Sequence, residues 1–197
     1  LELFKKYDVT FIGAPYGHRI EYIRFLVNNG VDVRVFGKGW DKVNGLEEYW
    51  GGYLSEHEML KVISQSKINL NFLWTSREPD RTTIKGRTME LAACRGFQLS
   101  NDTDEFSNYG FENGINITTF SDKKEMLSQV RYFLANVDLC ETIAQAGYDL
   151  VVKNHVWKER FSDMFSRIEK GKVANSIPKF KVLVVLKEDV QHSLIRD

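Results

Sequence analysis

Short apolar runs alternate with helix-period segments along most of this chain, and that alternation restricts the fold more than any other feature. Residues 8–12, 31–36, 68–73, 97–100 and 115–120 read as strands, most of them continuously apolar. Between them lie helical patterns. One carries Ile20, Ile23, Leu26 and Val27 and stops at Asn28-Asn29-Gly30. Another opens with Ser55-Glu56-His57-Glu58, a capping box with Ser55 at the N-cap and Glu58 at N3. Asp122 and Glu125 open a helix with Met126, Leu127, Val130, Phe133 and Leu134 inward; Asp138 and Glu141 start the next, with Ile143, Ala144, Gly147, Leu150 and Val151 inward. A last helix carries Trp157, Phe161, Phe165 and Ile168. Strands without polar alternation are buried on both faces. The pattern therefore predicts an α/β fold: a Rossmann-like, doubly wound parallel sheet with helices on both faces. Such sheets bind ligands at the carboxyl ends of their strands, near the point where strand order reverses. The loops following residues 12, 36, 73 and 100 open there, and with them Gly13 and Gly37.

Charge narrows the function. With 27 basic and 27 acidic residues the chain has no net charge, which argues against non-specific nucleic-acid binding. At 197 residues it can bury roughly 70% of its unfolded surface, so neither disulfide nor metal is needed for stability. Cys94 and Cys140 lie in apolar helical patterns and read as small buried hydrophobes of a reducing, cytoplasmic compartment. No His, Cys, Asp or Glu set has metal-ligand spacing. A chain that begins at Leu1 and enters a strand at once reads as a piece of a longer polypeptide. Polar residues after Ile168 divide a domain over 1–170 from a linker and strand over 171–197, and that strand either returns to the sheet edge or starts a following domain.

Residues 82–102 concentrate the chemistry. The segment reads as a helix opened by basic and hydroxyl residues, closed by Gly96, and followed by a buried strand ending at Asn101-Asp102. A helix start offers unpaired N–H groups and about half a positive charge, a natural seat for phosphate. Lys85, Arg87 and Thr88 stand where they add donors, and Glu90, about one turn deeper, is an acceptor for a ribose hydroxyl. These are the two ends of a device for nucleoside-diphosphate recognition.

The order of motifs resembles the C-terminal, donor-binding half of a GT-B glycosyltransferase of the group 1 kind that includes spore-maturation CgeB-like proteins. Residues 87–97, Arg-Thr-Met-Glu-Leu-Ala-Ala-Cys-Arg-Gly-Phe, resemble that family's basic-x-x-Glu-x-x-Ala-x-Gly signature. Asn113-Gly114-Ile115-Asn116 resembles its turn before the fifth strand, and residues 157–161 its closing helix. The resemblance implies that Glu90 bonds the ribose and that residues 85–88 face the diphosphate. It implies His18 and Arg19 as further cations beside Gly13, and a base near Tyr53, Leu54 and the turn from Gly37 to Trp40. It further implies metal-independent transfer without a cofactor, the nucleotide-sugar being the substrate, and an N-terminal half in the same parent chain that brings a glycan, lipid or protein acceptor. Many such relatives carry an acid eight positions before the ribose glutamate, where this chain has Thr82.

Two other readings share the architecture: a degenerate, non-catalytic module serving in interaction or structure, and a fragment of a nucleotide-sugar epimerase. A dinucleotide-binding domain is disfavoured, because Gly13-Ala14-Pro15-Tyr16-Gly17 lacks the G-x-G-x-x-G spacing and Gly37-Lys38 stands where an acid is expected.

Overall fold

The computed structural model describes residues 4–78 and 80–172. Five strands form one sheet: β1 (Tyr7–Ile12), β2 (Val33–Phe36), β3 (Ser66–Asn71), β4 (Gln98–Asn101) and β5 (Thr118–Phe120). Every neighbouring pair is parallel and the order is β2-β1-β3-β4-β5. Among the described residues, α1 (Arg19–Asn28), α2 (Glu56–Ser64), α3 (Gly86–Ala93), α4 (Lys123–Ala135) and α5 (Val137–Asn154) connect and flank the strands, and α6 (Trp157–Lys172) follows them in the chain. Helix α1 packs with α4, and α3 with α5. The doubly wound parallel sheet expected from the apolar pattern is what these residues form.

The chain divides into two compact units between Arg160 and Phe161, inside α6. Apart from Gly171 and Lys172, which end α6, the segment expected to hold a linker and a strand lies outside the described residues. In the first unit, the core gathers Val9 and Phe11 of β1, Val33 and Val35 of β2, Ile68 and Leu70 of β3, and Leu99 of β4. Helices α1, α4 and α5 close over it with Ile23, Leu26, Met126, Val130, Phe133 and Ile143. Two N-termini follow sequence closely. Ser55 caps α2 with both arms of the capping box, and Asp122 accepts from Lys124 and Glu125 N–H at the start of α4.

Three details differ from the sequence pattern. The strands are not continuously apolar: Thr10, Asn69, Asn71, Gln98 and Ser100 are buried. Thr10 Oγ1 donates to Ser66 Oγ at 2.8 Å and Asn69 Oδ1 at 3.2 Å, while Asn71 Nδ2 donates to Thr88 Oγ1 at 2.9 Å and Gln98 Oε1 at 3.3 Å. Amide side chains that satisfy one another can occupy a core that hydropathy would reserve for aliphatics. Next, β5 is shorter than 115–120: Ile115 is exposed in a turn where Gly114 N–H meets Ile117 O at 2.7 Å. Finally, the left-handed residue ending α3 is Arg95, φ 52°, rather than Gly96. Gly147 has a steric role in α5, since a Cβ there would stand 2.7 Å from Asn116 O.

Candidate functional site

Strand order reverses between β1 and β3, because the chain runs from β1 outward to β2 and then returns to the other side of β1. A ligand crevice is expected beyond the carboxyl ends of those two strands. The loop after β1 (residues 13–18), the end of β3 at residues 72–75, and the start of α3 all carry polar groups at that point.

Arg19, the first residue of α1, is 5% exposed. Its Nη1 donates to Ala14 O and its Nη2 to Phe72 O, each at 3.0 Å, so it ties the β1 loop to the end of β3. The guanidinium lies 3.7 Å from the centre of the Tyr16 ring. Its Nε is buried without a hydrogen-bond partner among the described residues. Burial lowers its pKa from the ordinary arginine value, with Tyr16 acting in the opposite direction. Lys85, the N-cap of α3, reaches the same place: its Nζ donates to Trp74 O, to Tyr16 Oη at 3.3 Å and to Phe72 O at 3.4 Å. Desolvation first, and the charge of Arg19 second, lower the Lys85 pKa to about 8. Among the described residues neither cation has an acidic partner within ion-pair distance. The first turn of α3 holds no acidic residue and no side chain caps it. Two partly desolvated cations and an open helix start therefore converge on one spot, and buried charge of one sign is costly until an anion meets it.

The other residues singled out by sequence fall into three groups. Arg87 and Glu90 share one face of α3 and pair with each other at 2.8 Å, with Arg87 also against Met59 of α2. Glu90 is half-exposed, its Oε1 lying over Gly86. Thr88 points the opposite way: it is fully buried and bonded to Asn71, so its hydroxyl is not available to the helix start, contrary to the pattern-based expectation. His18 sits at the N-cap position of α1 without capping it; Nε2 meets Asp80 Oδ1 at 3.2 Å and the ring packs edge-on against Trp74.

The turn expected near a base is built around Gly37, φ 125°, where a Cβ would stand 2.8 Å from Gly13 O. Gly13 N–H donates to Phe36 O at 2.9 Å, and Trp40 Nε1 donates to Gly13 O at 2.6 Å. Trp40 is wholly buried. Its indole braces the β1 loop and offers no face to a ligand. Tyr53 is exposed, edge-on to Trp50, and Leu54 beside it is partly buried.

Two features that sequence reading passed over border the site. Glu105 accepts from Ile84 N–H at 2.8 Å and Thr83 Oγ1 at 3.1 Å. Asn101 Oδ1 accepts from Leu73 N–H at 2.7 Å and steadies the end of β3. Thr82, at the position where relatives carry an acid, forms an antiparallel bridge with Trp74. Among the described residues no cluster of His, Cys, Asp and Glu could hold a metal ion, and no helix is long and apolar enough to cross a membrane.

Similar folds occur among solved structures. Sucrose-phosphate synthase from Thermosynechococcus elongatus is 13% identical over 87% of this chain and 47% of its own, with a TM-score of 0.63. Anabaena Alr3699/HepE, solved in complex with UDP-glucose, is 12% identical over 84% of this chain and 49% of its own, with a TM-score of 0.63. The C-terminal domain of the glycosyl transferase group 1 family protein LpcC from Francisella tularensis is 13% identical over 79% of this chain and 89% of its own, with a TM-score of 0.55. The chain spans about half the length of the first two. No curated protein matches it. These likenesses identify the fold as that of GT-B glycosyltransferases. The family model described as "Glycosyl transferase-like" matches residues 19–166, most of the chain, including Arg19, Lys85, Arg87 and Glu90, and the chain accordingly belongs to that family.

Proposed function

We propose that this domain is the donor-binding, C-terminal half of a CgeB-like GT-B glycosyltransferase and holds a nucleoside-diphosphate sugar. The observation that carries the reading is the convergence of Arg19, Lys85 and the uncapped start of α3 where strand order reverses. The diphosphate sits against those three groups. Glu90, held by Arg87, accepts from the ribose, and the base lies toward Gly37, Tyr53 and Leu54. HepE, of similar fold, is solved with UDP-glucose, which makes UDP the first probe to use.

Transfer breaks the bond between the anomeric carbon and the diphosphate, and negative charge grows on the leaving oxygen. Preorganised donors aimed at that charge stabilise the transition state by several kcal/mol. In this reading Lys85, Arg19 and the α3 N–H groups supply that stabilisation from the protein itself, without a metal or cofactor. The N-terminal half of the parent chain brings the acceptor and the base that activates its hydroxyl, so this domain binds donor but turns it over little. The place of LpcC's C-terminal domain among the similar folds supports the assignment to that half. Two free cysteines suit a reducing cytoplasm.

Glu90→Ala tests the ribose contact. Calorimetry is expected to show both UDP and uridine weakened by roughly 1–3 kcal/mol, the range for a lost charged hydrogen bond. Unchanged affinity for both would remove Glu90 from the site.

A further inference from the structure

Glu105 belongs to none of the motifs that drew attention in the sequence. It lies in the short 3-10 stretch Asp104–Tyr109 after β4. Thr103 opens that stretch, its Oγ1 accepting from Glu105 N–H at 3.4 Å, so the backbone carrying the carboxylate is itself held. Both hydrogen bonds to Oε2 come from Thr83 and Ile84, the two residues immediately before Lys85. The residue after Glu105, Phe106, is buried in a cluster with Leu73, Phe111, Ile117 and Val151, and Ile84 packs against that cluster. The 3-10 stretch thus grips the approach to α3 twice, once through a carboxylate and once through an apolar contact. Lys85 follows directly on this held segment, and its ammonium, on a long and flexible stem, donates to the Phe72 and Trp74 carbonyls.

Building on the nucleotide-sugar reading above, we propose that Glu105 is a positioning residue, which by holding residues 83 and 84 sets where Lys85 presents its ammonium to the diphosphate. The carboxylate bonds neither Lys85 nor Arg19, so it acts through geometry rather than charge. A neutral side chain with an acceptor of the same reach serves equally.

The test follows the ε-methylene NMR signal of Lys85, assigned by its loss in Lys85→Arg, through a pH titration of the whole chain, alongside calorimetry with UDP and uridine. In the unaltered chain Lys85, its pKa lowered by desolvation and by Arg19, is expected to titrate at about 8. In Glu105→Ala the titration moves up toward the ordinary lysine value of about 10.4, and UDP affinity falls about tenfold while uridine affinity holds, a 1.4 kcal/mol change. Glu105→Gln keeps both properties close to those of the unaltered chain. A folded Glu105→Ala with unmoved Lys85 titration overturns the proposal, as does a Glu105→Gln that behaves like Glu105→Ala. If Glu105→Ala does not fold, Thr83→Val removes one of the two donors; a smaller upward movement supports the proposal and none overturns it. An unaltered chain that binds UDP no tighter than uridine defeats the nucleotide-sugar reading instead, and the Lys85 titration then decides the role of Glu105 alone.

Discussion

Arg87 shows how a residue's role depends on its partner. Its place in the first turn of α3 suggests a phosphate ligand, yet its guanidinium is occupied by Glu90 at 2.8 Å. An (i, i+3) pair between half-exposed side chains contributes only a few tenths of a kcal/mol to helix stability. Its larger effect, in the function proposed above, is to fix the rotamer of the carboxylate assigned to the ribose. Arg87→Met is therefore expected to weaken UDP and uridine by the same factor in calorimetric titrations. A loss confined to UDP would show that Arg87 leaves Glu90 and contacts phosphate. Thr88, one position on, is invisible to ligand because the α3 helical turn directs it to Asn71. Sequence spacing offered both residues to the helix start; the direction of each side chain separates them.

At the scale of elements, most boundaries were legible and most exceptions arose from close approach or buried polarity. The Ser55 capping box and the Asp122 cap are local chemistry, so α2 and α4 begin where their sequence says. The apolar run 68–73 overshoots β3, which spans Ser66–Asn71, because Ser66 is polar by hydropathy yet buried; Asn69 and Asn71 are buried too, their amides donating to Ile63 O and Phe97 O and to Thr88 Oγ1. Glu105 escaped notice for a related reason. In sequence it is one more acid in a polar stretch, and only the fold brings it to residues 83 and 84. Helix α5 approaches the 113–116 turn closely enough that only glycine fits at position 147. Gly147→Ala is expected to lose about 1–3 kcal/mol of stability, the usual cost of overpacking. Urea unfolding checks it, and an unchanged midpoint would mean that the turn yields freely. UDP affinity in the folded fraction should stay as it was, since α5 carries no ligand contact in this account.

For the molecule as a whole, the alternation of apolar runs and helical periods was enough to define the sheet, while the site needed coordinates. Sequence indicated the helix start at Lys85, but it ranked Arg19 with His18 as an accessory cation. Burial separates the two: Arg19 is enclosed at the switch point, whereas His18 meets an exposed Asp80. In the function proposed above, Arg19 and Lys85 form a cationic seat that a diphosphate completes. Lys85 gives that seat a pH signature. Its pKa is lowered to about 8, so in the free protein it loses its proton as pH rises through that value, well before it would in an unfolded chain. The sign for stability follows: this one group makes folding more favourable as pH climbs from about 8 toward about 10.4. The sign for binding is opposite, because a bound diphosphate favours the protonated amine.

Calorimetric titration of UDP and uridine between pH 7 and pH 9 measures that seat directly. Above pH 7 the terminal phosphate, with a pKa near 6, is almost fully ionised, and the uracil ring is common to both ligands, so a change in the ratio of the two affinities comes from the protein. UDP is expected to bind more tightly than uridine at pH 7, with an advantage that shrinks as pH passes about 8. Equal affinities at pH 7, or an advantage that does not change up to pH 9, would contradict that expectation.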